Sequence, residues 1–216
     1  MLCKKSPLSA SQRQRTWQLL CAALLVVIPQ SLRADVVRHC AQLRDPVLAL
    51  HACSRLIQAD PSNAALRNKR GIAYMRSGQI DLAIADYSEA IRLDPEPAGP
   101  YYNRGRALLG KAGYVEAIPD FGEALSRYPR DALAHNARAW ALFKLGNMAA
   151  ALEDVDQAIA ANPSYAAAYD TRAHIYEAAQ RRDDAVADFR KALALDPLNP
   201  LAHVTRQGLL RLGVAP

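Results

Sequence analysis

The side chains best equipped for chemistry in this chain are five histidines, four cysteines and two series of opposite charges. A histidine can serve as general base or metal ligand near neutral pH. A low-pKa thiol can act as nucleophile, ligand or redox partner. The spacing argues against such uses here. His39, His51, His135, His174 and His203 form no HExxH motif, the cysteines form no CxxC, and no glycine-rich phosphate loop occurs. Glu89, Glu123 and Asp156 read as solvated helix faces. With no nucleophile, base and acid that could be grouped, the chain reads as non-enzymatic and without cofactor or metal. The charges, by contrast, are ordered. Arg70, Arg104, Arg138, Arg172 and Arg206 stand 34 residues apart, and so do Asp86, Asp120, Asp154 and Asp188. Regular opposite charges suit ion pairs better than catalysis.

The same step of 34 organises the apolar residues. Prolines recur at 61, 95, 129, 163 and 197, and alanines at 49, 83, 117, 151 and 185. Gly71, Gly105, Ala139 and Ala173 form a small column. Tyr87, Phe121, Val155 and Phe189 form a large one, with Cys53 before them. Tyr74, Leu108, Leu142, Tyr176 and Leu210 form another, with Cys40 before them. Each unit reads as two helices. In the first full unit the expected helices run over 64–76 and 81–93, with a turn near Gly78. Proline disfavours helical backbone at the residue before it, which explains the stop before Pro95. A glycine inside a helix costs about 1 kcal/mol relative to alanine, so Gly105 is expected to permit a close helix approach. Pro119 falls inside a second helix and is expected to bend it.

These columns resemble the tetratricopeptide repeat (TPR) family, whose pattern spans 34 residues. The resemblance implies an all-α fold, an α-solenoid forming a right-handed superhelix. Four full repeats cover 64–97, 98–131, 132–165 and 166–199. A degenerate hairpin, 35–63, precedes them, and a capping helix over 200–212 with its tail (200–216) follows. An arginine replaces the family's leucine before the glycine. In the family the Cys40 and Cys53 columns face each other within a hairpin, which implies a disulfide; two buried thiols and a metal site are the alternatives. The charge columns permit two pairings. Arg70 meets Asp86 within a repeat, or Asp86 meets Arg104 across repeats. On a helical wheel the arginine points away from its own hairpin, which favours the second. The pairs are either exposed and weak or a partly buried ladder.

The family also implies a concave groove that holds peptides or protein segments. Its groove columns map onto Asn68, Tyr102, Asn136 and Asp170, then Ile72, Arg106, Trp140 and His174, then Met75, Leu109, Phe143 and Glu177. Trp140, Phe143 and Arg106 are of types favoured at binding hot spots; packing on neighbouring helices is the competing role for Trp140. His135 and His203 share a column with Tyr101 and Tyr169 and read as packing residues. The basic residues of the subclass that grips chaperone C-termini are missing, since Ile72, Leu133 and Ala137 fall near their places.

Charge and hydropathy assign the N-terminus a separate role. Residues 1–34 hold Lys4, Lys5, Arg13, Arg15 and Arg33 and no acid. Of the 27 basic residues, 22 remain against 21 acids, so most of the formal +6 belongs to this segment. The near-neutral body argues against a nucleic-acid partner. A basic stretch, a 12-residue apolar run (Trp17–Ile28) and PQSLRA make the layout of a signal peptide. That run is short of the roughly 20 residues that span a bilayer. Cleavage is expected after Ala34; Leu20 is too large to precede a lipid-bearing Cys21. The expected protein is exported, periplasmic or secreted, and binds a protein or peptide partner. The alternative is a structural subunit of an envelope complex, held at the membrane by an uncleaved leader.

Overall fold

The computed structural model describes residues 30–198 and 202–215, and the apolar run of the leader lies outside them. Eleven helices occur among the described residues. They are α1 (Gln30–Gln42), α2 (Pro46–Ala59), α3 (Ala64–Arg76), α4 (Ile80–Leu93), α5 (Ala98–Gly110), α6 (Tyr114–Arg127), α7 (Ala132–Lys144), α8 (Met148–Ala161), α9 (Ala166–Ala178), α10 (Arg182–Leu195) and α11 (Ala202–Arg211). Successive helices pair as hairpins, and each hairpin packs on the next. The first helices of neighbouring hairpins also touch one another, α1 with α3, α3 with α5, α5 with α7 and α7 with α9. They therefore line the inner side of an all-α solenoid.

Local chemistry explains the boundaries. Asp45 caps α2 by accepting from the Val47 and Leu48 amides, with Pro46 at the first helical position. Asn63 and Asp131 cap α3 and α7 in the same way. The second helices end one residue before the residue that precedes each proline: Asp60, Asp94, Tyr128, Asn162 and Asp196 have left helical geometry. Between the helices of all five hairpins the turn passes through positive φ, at Leu43, Gly78, Ala112, Gly146 and Gln180. Glycine adopts this conformation without strain; Ala112 and Gln180 do not.

Pro119 does not end its helix. α6 has the same length as its counterparts and continues through it. Proline deprives the Val115 carbonyl of its helical donor, but Val115 is exposed and water can replace the lost bond.

The small and large columns meet inside each hairpin. A Cβ placed on Gly71 would come within 2.5 Å of the Tyr87 ring, and one on Gly105 within 2.8 Å of the Phe121 ring. In the last full hairpin Phe189 packs in one cluster with Ala173 and also lies against α11, where a Cβ placed on Gly208 would come within 2.5 Å of its ring. Ala49, Ala83, Ala117, Ala151 and Ala185 are completely buried and let the second helices approach closely. Cys40 and Cys53 are joined by a disulfide, with Cα atoms 4.9 Å apart.

The expected cross-repeat charge pairing is wrong. Arg70 donates from Nε and Nη2 to Asp86 at 2.6 and 2.7 Å. Arg104 forks onto Asp120, Arg138 onto Asp154 and Arg172 onto Asp188 in the same manner. The reason is the neighbouring contact. Gly71 seats Tyr87, so the preceding residue of each helix, Arg70 and Asp86, is brought together as well. The arginine stem is long enough to bend back over its own hairpin, so its place on the helical wheel does not keep it from Asp86. Its Nη1 does reach the preceding hairpin, donating to Ser54 from Arg70, Ser88 from Arg104 and Asp156 from Arg172. The four aspartates are buried and their arginines partly so, which makes these pairs a partly buried ladder rather than a set of surface contacts. Hydrogen bonds donated to the aspartates hold the four guanidinium groups above their ordinary pKa.

Candidate functional site

Three first helices, α5, α7 and α9, wall a concave cavity of about 470 Å³, with α11 at one edge. The helical repeat places its lining. Side chains at one position of successive first helices point the same way, and a step of 34 residues moves the position to the next helix. Tyr102, Asn136 and Asp170 form one such row across the groove, and Arg106, Trp140 and His174 form the next. Carrying the first row one step further reaches Val204 on α11, which also lines the cavity.

The centre is aromatic. Trp140 lies 5.6 Å from Phe143 and 6.0 Å from His174, centroid to centroid. His174 in turn meets the edge of Phe189 at 5.0 Å. Arg106 stands over Tyr102 at 5.7 Å, and Lys144 over Trp140 at 5.3 Å, both as cation–π contacts. Burial raises the pKa of the Tyr102 and Tyr165 phenols, so both remain neutral hydrogen-bonding groups. At Tyr165 that rise is opposed by the Asn136 side chain. Its carbonyl oxygen, Oδ1, is buried and reached by no hydrogen-bond donor of the protein. Such an acceptor is unfavourable by about 1–3 kcal/mol until a donor arrives.

Seven of the twelve expected groove positions, Tyr102, Arg106, Leu109, Asn136, Trp140, Asp170 and His174, line this one cavity. Phe143 adjoins it through Trp140. Asn68 lies one hairpin away, where its Oδ1 accepts from Asn103 Nδ2 at 3.0 Å. The same inter-hairpin register recurs at the far end, where the Thr205 hydroxyl donates to Asp170 at 2.6 Å. Sequence reasoning missed Tyr165. It occupies the position before a first helix that Asn63 and Asp131 fill as caps, and Tyr165 makes no capping bond. An aromatic residue where a cap belongs was the available signal.

The remaining histidine chemistry is structural. His135 is buried, with Nδ1 3.0 Å from Asp154 and Nε2 3.0 Å from the Pro129 carbonyl. It ties the ladder to the turn that starts its own hairpin. Among the described residues, no group of three histidine, cysteine or acidic side chains is placed to hold a metal ion.

Three family models match the chain. One, described as TPR repeat, matches residues 73–111; two described as tetratricopeptide repeat match 102–166 and 166–199. Among solved structures, a crystal structure of MamA is 28% identical and superposes with a TM-score of 0.65, covering 71% of this chain and 90% of that one. MamA from Desulfovibrio magneticus RS-1 is 18% identical with a TM-score of 0.70, covering 79% and 96%. YrrB, described as a TPR protein with an unusual peptide-binding site, is 20% identical with a TM-score of 0.65, covering 78% and 87%. No curated protein matches the sequence.

Proposed function

The chain belongs to the tetratricopeptide repeat family, whose members generally mediate protein–protein interactions, and we propose on that premise that it is a non-catalytic scaffold acting after export. Its partner is a peptide or protein segment held in the groove walled by α5, α7 and α9. One observation carries this reading: a concave, largely apolar cavity, with Tyr102, Trp140 and Tyr165 among its walls, holds a few polar groups, as ligand sites do. Arg106 and Asp170 give it both signs of charge, whereas a nucleic-acid site would be uniformly basic.

Export is supported by the leader pattern and by the Cys40–Cys53 disulfide, since such bonds persist outside the reducing cytosol. Among the described residues no helix is long and apolar enough to cross a membrane. N-terminal sequencing of the native protein tests processing, and a start at Asp35 is expected. Trp140→Ala tests the groove. Partner capture from envelope extract should be lost while the thermal midpoint shifts little, because Trp140 is only half-buried. Capture equal to wild type would exclude the groove as the binding surface.

A further inference from the structure

The two ends of the groove carry opposite charge. At the α5 end, Arg106 is exposed over the Tyr102 ring and takes part in none of the ion pairs among the described residues. At the α9 end stands Asp170. It accepts from the Thr205 hydroxyl, and His174 Nε2 lies 3.7 Å from its other oxygen. Glu177, further along the same helix, is already matched by Arg211 at 2.8 Å, so Asp170 sets the sign of this end. Between the two lie Trp140 and the Asn136 carbonyl that no protein donor reaches.

Each group calls for a different complement. The guanidinium suits a carboxylate, the indole an apolar side chain, the Asn136 oxygen an N–H, and Asp170 a cation. An extended peptide offers all four, because its backbone presents N–H groups between side chains that alternate in direction. We infer that the occupant is an extended segment with an acidic residue at the α5 end, an apolar residue on Trp140 and a basic residue at the α9 end. A backbone N–H of the segment donates to Asn136 Oδ1. The inference rests on the groove reading above and names its ligand. Two intervals of roughly 10 Å between neighbouring first helices separate α5 from α9. The acid and the base therefore stand about six residues apart in an extended chain.

Selection of a random-peptide display library on the full chain tests this. Enriched sequences should share an acid, an apolar residue and a base in that order, in either chain direction. Selection on Arg106→Glu, a substitution at an exposed position, should replace the acid by lysine or arginine. A synthetic enriched peptide with blocked ends should bind Arg106→Glu about tenfold more weakly, and its own acid-to-lysine version should restore the affinity. Enrichment that Trp140→Ala abolishes, but that has no such charge order or ignores Arg106→Glu, overturns the inference and leaves the groove reading intact. Enrichment that survives Trp140→Ala, or no enrichment at all, overturns both.

Discussion

In the α1–α2 hairpin a disulfide joins the helices, whereas in each of the next four hairpins an arginine forks onto an aspartate of the partner helix. The contrast is complete at the level of positions. Val36 and Ala52 stand where the other hairpins have Arg and Asp, and Val37 stands where they have Gly or Ala. Cys40 and Cys53 occupy the two columns that elsewhere hold large side chains. One hairpin is thus set by a covalent bond, and the others by a non-covalent pair of contacts, ring against small residue and guanidinium against carboxylate. The terminal hairpin has a neighbour on one side only among the described residues, so less packing supports it. A covalent link compensates for that, since it restricts the unfolded chain whatever the packing. Three of these hairpins also use their charges between repeats, because the guanidinium of Arg70, Arg104 or Arg172 reaches back to Ser54, Ser88 or Asp156.

This contrast can be broken at several points. The largest effect is expected from Asp154→Ala, which strands Arg138 and removes a partner of His135. It should destabilise by about 3 kcal/mol, as breaking a buried pair does. A urea midpoint within error of wild type would show that the ladder contributes nothing to stability. Reduction of Cys40–Cys53 should remove up to about 3 kcal/mol, the value for so short a loop. Solenoid units depend chiefly on their neighbours, so hydrogen exchange should quicken in α1 and α2 and stay unchanged in α7 to α10. Uniform loss of protection would contradict independent fastening of the two regions. Gly105→Ala comes next. Its new methyl meets the fully buried Phe121 ring, and overpacking of roughly 1–3 kcal/mol should outweigh the gain in helix propensity of about 1 kcal/mol. Thermal melting distinguishes a lower midpoint from the higher one that propensity alone would give. The smallest change is Ala112→Gly, which relieves a positive-φ alanine and should stabilise by up to about 1 kcal/mol. A lower midpoint would mean that the turn is not strained.

Much of the groove was legible because a repeat turns sequence distance into spatial translation. The shared column of Tyr102 and Asn136 is enough to put them on neighbouring inner helices, and Asp170 and Val204 follow by two further steps. Tyr165 was harder to see because it belongs to a connection, whose residues are ordinarily chosen for capping. Asn68 shares the column of Tyr102 and Asn136. Only the packed structure shows it bonded to Asn103, one hairpin away from the cavity.

The repeat length, the two-helix unit, the columns that build the interior and the near-neutral charge of the body are legible in the residues alone. These follow from short-range rules: proline excludes helical backbone before it, and a column of one residue type must fall on one helix face. Tertiary structure alone decided the partner of each arginine, since Asp86 is within reach of two arginines as judged by spacing. The seating of Tyr87 on Gly71 selected one of them. It also decided that Asn136 ends with a buried acceptor beside Trp140 and that Phe189 fills the space over Gly208. Such outcomes depend on the depth to which one helix sinks into another, a quantity set by all the side chains between them.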